Sequence, residues 1–366
     1  MKNVYLGLAV GLSLATATAA YAGNDQKRGQ NGAAELVVNP WARSSGWAGA
    51  NSAGIRGVES MNSNIGGLAY VRGTEVLFSS TRWMQGTGIN LNAVGIGQQL
   101  GESGGVIGLS AVSWNLGDFY QTTVDLPDQS VTYRPTILNI GLSYAKIFSQ
   151  SITGGITVRY VSASVPNASA SGIAIDGAVQ YQVHLGGSDP DRRNFKIGTA
   201  LRNVGPEMQY SGDGLGYRAY LQGGFTQDIT RAVEGKSESF EIPTMLTIGA
   251  QYDYVPADDH RLSVAATFVS NTFSNDQYQG GLEYAFMEKF MVRGGYDFMK
   301  KTGVEGLRST AHTGLTAGAT VEVPFGKNGE EVVETDTKQH RFGVDYSFRA
   351  TNPWNGTHSI GIRLVL

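Results

Sequence analysis

From residue 74 to its end, this chain alternates apolar and polar residues, and few folds can accommodate that pattern. In one stretch, Leu138, Ile140, Leu142 and Tyr144 alternate with Asn139, Gly141 and Ser143. Further on, Phe342, Val344, Tyr346 and Phe348 alternate with Arg341, Gly343, Asp345, Ser347 and Arg349. A period of two places successive side chains on opposite faces of a β-strand. Fourteen such runs can be delimited, at 74–83, 87–99, 104–115, 135–149, 151–164, 170–185, 193–204, 243–255, 260–272, 277–287, 289–299, 312–323, 338–349 and 356–366.

A soluble sandwich and a membrane barrel both have one apolar face, so alternation does not separate them. Length does: most runs have 10–15 residues, against roughly 5–6 in soluble strands, and can cross a bilayer at a tilt. An even count returns both termini to one side, and the chain closes on a strand. Counted from a periplasmic start, the inner joints are mostly brief (100–103, 150, 256–259, 288). The outer ones at 116–134, 205–242 and 300–311 are long, the asymmetry of outer-membrane barrels. Arg159, Arg293, Asp297, Arg341, Asp345 and Arg363 all fall on the Gly/Ser/Thr face. An arginine on the lipid face at mid-depth would cost about 2–4 kcal/mol, so that face is expected to line the lumen. The expected fold is all-β: a 14-stranded antiparallel transmembrane β-barrel over 74–366.

The N-terminal end reads as an export signal. Lys2 precedes an apolar run from Val4 to Leu14, and Ala20-Tyr21-Ala22 makes a small-residue cleavage site. Residues 1–22 are therefore expected to be removed. The run is shorter than a membrane span needs, and no cysteine exists anywhere in the chain for lipidation, disulfides or thiolate chemistry. A net charge of −3 without a basic block argues against nucleic acid. Glycine makes up 50 of 366 residues, about twice its usual share of roughly 7%.

Residues 23–73 have no period of their own, yet carry Trp41, Arg43, Trp47 and Arg56 among small residues. Disordered segments are poor in aromatics, and a fourteen-strand barrel is too wide for its own side chains to fill. The segment is expected to be an N-terminal plug, or hatch, with its tryptophans packed in the lumen and its arginines paired with inward carboxylates.

The pieces A-A-E-L-V-V-N-P-W-A-R-S-S-G-W-A-G-A-N at 33–51, T-E-V-L-F-S-S-T-R-W at 74–83, L-R-N-V-G-P at 201–206, F-E-I-P-T at 240–244 and R-G-G-Y at 293–296 occur in a telling order. In these the chain resembles the PorV/PorQ branch of the FadL-like outer-membrane barrels, found with the type IX secretion system. It departs where many relatives have N-P-A-G-L-A, here Asn64-Ile65-Gly66-Gly67-Leu68-Ala69, and in ending on Leu366 rather than an aromatic residue. The resemblance implies a fourteen-strand barrel with an N-terminal hatch. It also implies an adaptor that associates with a large translocon barrel and receives exported cargo.

No motif for catalysis or metal binding is present. The histidines at 184, 260, 312, 340 and 358 stand singly, without H-E-x-x-H spacing, and there is no G-x-S-x-G elbow. S-G-D-G-L-G at 211–216 lacks the acids of a calcium loop and reads as a glycine turn. No enzyme activity and no cofactor are expected.

Binding is expected in the outer loops instead. Phe119 and Tyr120 lie in one, and Tyr210, Tyr217, Tyr220, Phe225 and Phe240 in another; exposed aromatics of this kind anchor interfaces. The alternative is a lid, with 216–242 folded over the barrel mouth and its aromatics buried. The acidic stretch with Glu330, Glu331, Glu334 and Asp336 falls on the periplasmic side. It is either a solvated turn or a docking point for a periplasmic partner.

Three functions follow from this reading. The first is a non-enzymatic adaptor that binds translocon or cargo through its outer loops. The second is a channel for a hydrophobic small molecule, opposed by an inward face expected to be mostly Gly, Ser, Thr, Asn and charge. A greasy pocket would then have to come from Trp41, Trp47 and Met61 of the hatch. The third is a structural subunit of a larger outer-membrane complex.

Overall fold

The computed structural model describes residues 27, 29–101, 103–123, 126–186, 193–221, 229–299, 310–325 and 340–366. The expected signal peptide at 1–22 lies outside them.

Every one of the fourteen alternating runs is a strand of one closed, antiparallel barrel. In chain order these are β1 (Thr74–Arg82), β2 (Asn90–Gln99), β3 (Val106–Asn115), β6 (Thr136–Ile147), β7 (Ile152–Val165), β8 (Ala168–Val183) and β9 (Phe195–Val204). They are followed by β14 (Met245–Ala257), β15 (His260–Asn271), β16 (Gln277–Phe286), β17 (Phe290–Met299), β18 (His312–Phe325), β19 (His340–Thr351) and β20 (Thr357–Val365). Closure comes from β20 pairing with β1, with Phe78 opposite Ile362 and Ser80 opposite Ile360. A closed ring leaves no edge, so every backbone group at membrane depth can be paired within the sheet. No helix among the described residues is long and apolar enough to cross a membrane; the crossing is made by strands.

The two faces separate as the alternation requires. The outer face carries exposed apolar side chains all the way round, among them Leu109, Leu142, Ile156, Ile248, Leu282, Val292 and Ile360. Tyr254, Tyr284, Phe286, Phe290 and Phe325 lie near the strand ends joined by short turns, and Tyr278, Tyr296 and Phe298 toward the opposite rim. The inward face is buried and largely small or polar, with Ser110, Thr157, Thr267, Thr320 and Ser359 all 5% exposed or less.

Two differences from the sequence reading stand out. Three small sheets occur in the long outer connections. They are β4 (Phe119–Thr123) with β5 (Leu126–Tyr133), β10 (Met208–Gln209) with β13 (Ser239–Phe240), and β11 (Gly216–Leu221) with β12 (Ile229–Glu234). The β4–β5 and β11–β12 hairpins stand apart from the barrel ladder, so they leave little alternation to read. The second difference is a correction. The inward face is not polar throughout, because β1–β3 present Leu77, Leu91, Ala93, Val106, Val112 and Trp114 to the interior.

That apolar wall is explained by what it faces. Residues 34–70 form five short helical turns, at Ala34–Val37, Ala42–Gly46, Ala50–Ala53, Val58–Asn62 and Ile65–Tyr70. Only the last is capped by a side chain, Asn64, which accepts from the Gly66 N–H at 3.1 Å. Each of the last four turns faces its own quarter of the wall. Val58–Asn62 lies on β1–β3, Ile65–Tyr70 on β3 and β6–β8, Ala50–Ala53 on β9 and β14–β16, and Ala42–Gly46 on β17–β20. A segment that touches all fourteen strands lies inside the ring they make.

Part of the glycine surplus follows from this. A Cβ at Gly249 would sit 2.3 Å from Ser52 Oγ, and one at Gly295 would sit 2.6 Å from the Trp47 backbone. The inner wall is small where the segment passes closest.

Candidate functional site

The functional region is the lumen: the N-terminal segment, the groups that hold it, and the space on either side of it. Trp41 is fully buried and packs with Val58, Met61 and Leu68 against the apolar wall of β1–β3. Trp47 packs over Gly281 and Gly295 on the opposite wall. Its Nε1 donates to Glu283 Oε2 at 3.2 Å. The two tryptophans therefore anchor the segment to opposite sides of the barrel.

Charge holds it at two further points. Glu59, 2% exposed, accepts from Arg363 Nη2 of β20 at 2.7 Å and from the Ser44 hydroxyl. Arg363 also lies 3.7 Å from Glu75, whose carboxylate accepts from the Val58 N–H at 3.2 Å. Glu283 is the second point. Arg293 donates to it at 2.8 Å and Arg261 at 3.1 Å, and Arg43 of the segment lies 3.8 Å away.

Arg43 thus lies beside an inward carboxylate, and also donates to Met291 Sδ at 2.9 Å. Arg56 corrects the same expectation: it lies 4.4 Å over the Tyr70 ring and donates to Gln182 at 3.2 Å. It sits at the barrel mouth on the short-turn side, where an amide and an aromatic ring stand in for a carboxylate.

The segment's own carbonyls, which short turns leave unpaired, are met by the wall. Thr267 donates to Ala50 O at 2.8 Å, Thr316 to Gly46 O at 2.9 Å and Gln180 to Ile55 O at 3.0 Å. Arg159, paired with Asp176 at 2.7 Å, reaches Met61 O at 3.3 Å. Glu59, Glu283, Gln180, Thr267 and Thr316 were not singled out from the sequence. The only available signal was their position on the inward phase of their strands, or, for Glu59, an acid isolated among small residues. Near the start of the segment, burial pushes the Glu35 carboxyl above its usual value, against the pull of its own backbone N–H.

The segment has a cavity on each side. The one on the short-turn side holds about 840 Å³ and is rimmed by charge, with Arg43, Arg56, Lys196, Arg261 and Arg341 facing Glu75, Asp253, Glu288 and Glu322. The outer one is smaller, about 250 Å³, and mixed in character. Its apolar side is Val37, Val38, Trp83, Met245 and Val269, and its polar side includes Arg202, Asp297, His312 and Arg349.

Beside the outer cavity the sheet is irregular. Pairing of β17 with β18 ends at Tyr296–Leu315. Pairing of β18 with β19 skips from Thr316–Arg349 to His312–Thr351, with Gly314 at φ 102° between. Only glycine takes that φ without strain. The wall is thus least regularly bonded where it borders the outer cavity.

Of the loop aromatics, Phe119, Tyr120, Tyr210 and Tyr217 are exposed. Asp118 and Arg134 pair across the base of the β4–β5 hairpin, Arg134 Nη2 donating at 3.1 Å, and this hydrogen bond holds the Asp118 carboxyl below its usual value. Phe119 stacks on Tyr133 at 5.9 Å. Tyr220 lies in β11, and Phe225 falls outside the described residues. Phe240 is half-buried: it contacts Tyr210 at 5.6 Å and packs with Leu36, Met208 and Ile242, which ties the loop to the N-terminal segment. Glu330, Glu331, Glu334 and Asp336 lie outside the described residues. Asp213 sits in a short turn, Asp213–Leu215. Among the described residues, no group of three or more His, Asp or Glu is placed to hold a metal.

Comparison with solved structures places this fold beside that of a hydrocarbon channel. The Pseudomonas putida toluene transporter TodX superposes with a TM-score of 0.51 at 12% identity, over 89% of this chain and 97% of TodX. A deltaS2 mutant of the TodX monoaromatic hydrocarbon channel gives 0.50 at 12% identity, over the same shares of both chains. A Pseudomonas aeruginosa FadL homologue gives 0.47 at 10% identity, over 88% of this chain and 96% of the homologue. No protein-family model matches the sequence, and no curated protein does.

Proposed function

We propose that this protein is an outer-membrane channel for a small, largely apolar molecule, with residues 34–70 as the plug that gates it. The observation that carries the reading is the outer cavity of about 250 Å³, set between plug and outer rim and bordered by the irregular β17–β18–β19 seam. Concave pockets that combine apolar lining with placed polar groups are the usual form of a small-molecule site. The fold it shares with a toluene transporter supports the same reading. The apolar wall of β1–β3 removes the main sequence-based objection to it.

Molecules would enter from outside at the cavity and leave on the periplasmic side once the plug shifts. The test is the initial uptake of labelled toluene by cells with an intact outer membrane, with and without the barrel expressed. Uptake should rise several-fold with the barrel, and equal rates would remove the reading.

A second reading, an adaptor of type IX secretion, has one observation in its favour. Phe119, Tyr120 and Tyr217 are exposed on hairpins beyond the barrel rim, as interface anchors are before their partner binds. Gentle purification from native membranes decides it. Co-purification of a very large barrel or of exported proteins supports the adaptor, and isolation of the barrel alone counts against it.

A further inference from the structure

The apolar belt on the outside of the barrel is not of even height. On β18 six successive outward positions, Leu315, Ala317, Ala319, Val321, Val323 and Phe325, are apolar and exposed. On β1 only Val76 and Phe78 are apolar, and on β2 only Val94 and Ile96. Two alternate positions cover roughly 10 Å of strand, against an apolar band about 25 Å tall in barrels of this kind. Beyond them, toward the rim that bears the long connections, the outward positions turn polar. Ser80 stands opposite Asn92, and Asn92 opposite Ser113. Arg82 stands opposite Asn90, and Asn90 opposite Asn115. β1 has only nine residues, about what a tilted strand needs to cross a bilayer, so these polar rows lie within the membrane or at its edge.

Arg82 is exposed, and it is the one charged residue on the outward face of β1, β2, β3 and β20. Among the described residues it meets no carboxylate. The connections on either side of it, 83–89 and 352–356, are described throughout. Ser80 Oγ donates to Asn92 Oδ1 at 2.8 Å, which leaves Asn92 Nδ2 without a protein acceptor. The patch therefore offers a cation and an amide N–H to whatever lies outside the barrel.

What lies there is lipid. An arginine facing lipid is increasingly costly toward mid-depth, and here its counter-ion has to come from the lipid itself. The anionic group at a lipid headgroup is a phosphate, whose oxygens the guanidinium fork takes two at a time. A belt too short for the bilayer is met by local thinning, which brings headgroups down toward Arg82. The short belt and the unpaired cation call for the same occupant.

We infer that the outward patch of Ser80, Arg82, Asn92 and Ser113 binds the phosphate of a lipid headgroup, with the acyl chains on Val76, Phe78, Val94 and Ile96. This site stands apart from the channel reading, since nothing in it depends on what passes through the lumen.

The test is native mass spectrometry of the whole detergent-solubilised barrel, titrated with dioleoylphosphatidylglycerol and, separately, with dioleoylglycerol, which has the same chains and no phosphate. One phosphatidylglycerol should be retained saturably per barrel, and dioleoylglycerol should not. Arg82→Gln should weaken phosphatidylglycerol about five-fold, the usual contribution of one basic residue near an anionic lipid surface. Arg82→Lys should keep part of that affinity.

If both lipids are retained equally, the face holds only acyl chains and the assignment falls. It falls too if Arg82→Gln binds phosphatidylglycerol as well as the parent does. A photoreactive residue at Asn92 in cells gives a further arm: a lipid adduct supports the assignment, and a protein adduct means that the face docks a partner and overturns it. The comparison of the two lipids on the unsubstituted protein decides the matter should Arg82→Gln fail to fold.

Discussion

Glu59→Ala is expected to loosen the plug more than any other single change in the N-terminal segment. The carboxylate is buried and receives Arg363 at 2.7 Å and the Ser44 hydroxyl. Its removal leaves the guanidinium of Arg363 with Glu75 alone, at 3.7 Å. Breaking one side of a buried ion pair costs about 3–5 kcal/mol, because the surviving charge stays desolvated. That penalty falls on the seated plug and not on the barrel, whose strand ladders do not pass through Glu59. Limited proteolysis of the folded barrel should therefore cut within 34–70 far faster in the variant, with the strands resisting as before. Equal proteolysis of Glu59→Ala and the parent would mean that the ion pair does not hold the segment.

The barrel was legible in the sequence because two fixed environments impose the pattern. In 138–144, Leu138, Ile140, Leu142 and Tyr144 are held to one side and Asn139, Gly141 and Ser143 to the other, and every barrel strand carries some version of that constraint. The β4–β5 and β11–β12 hairpins were not legible because neither has a second face to satisfy. The plug was legible only as a contradiction: Trp41 and Trp47 in a segment with no period must pack on something built elsewhere.

What they pack on was not legible. Nothing in the order of residues couples Trp41 to Gly95 of β2 or Trp47 to Gly281 and Gly295, because such pairings exist only once the ring has closed. The apolar lining of β1–β3 was obscured for a related reason. Val106, Ile107, Leu109 and Val112 give both faces of β3 apolar residues, so the chain does not announce which one meets lipid and which meets the plug. The outer cavity draws on the plug, Trp83, β9 and β14–β19 together, and Arg349 stood out in the sequence only as one more lumen-phase charge.

The larger expected effect concerns the plug's movement. The Ser52 and Thr267 hydroxyls lie 2.9 Å apart, one on the plug and one on β15. The chain has no cysteine, so Ser52→Cys with Thr267→Cys introduces one pair of thiols and no competing partner. The approach of the two side chains is close enough for a bond of about 2.05 Å to form after a small adjustment. That bond would fix Ala50–Ala53 to the wall while leaving the outer cavity and its lining unchanged.

Uptake of labelled toluene by cells carrying this double variant, oxidised and then reduced, tests the account most directly. If the plug gates the channel, the oxidised barrel transports no faster than cells without it, and reduction restores the parent rate. If the oxidised and reduced forms transport equally well, the plug does not gate the route and the account is wrong at its centre.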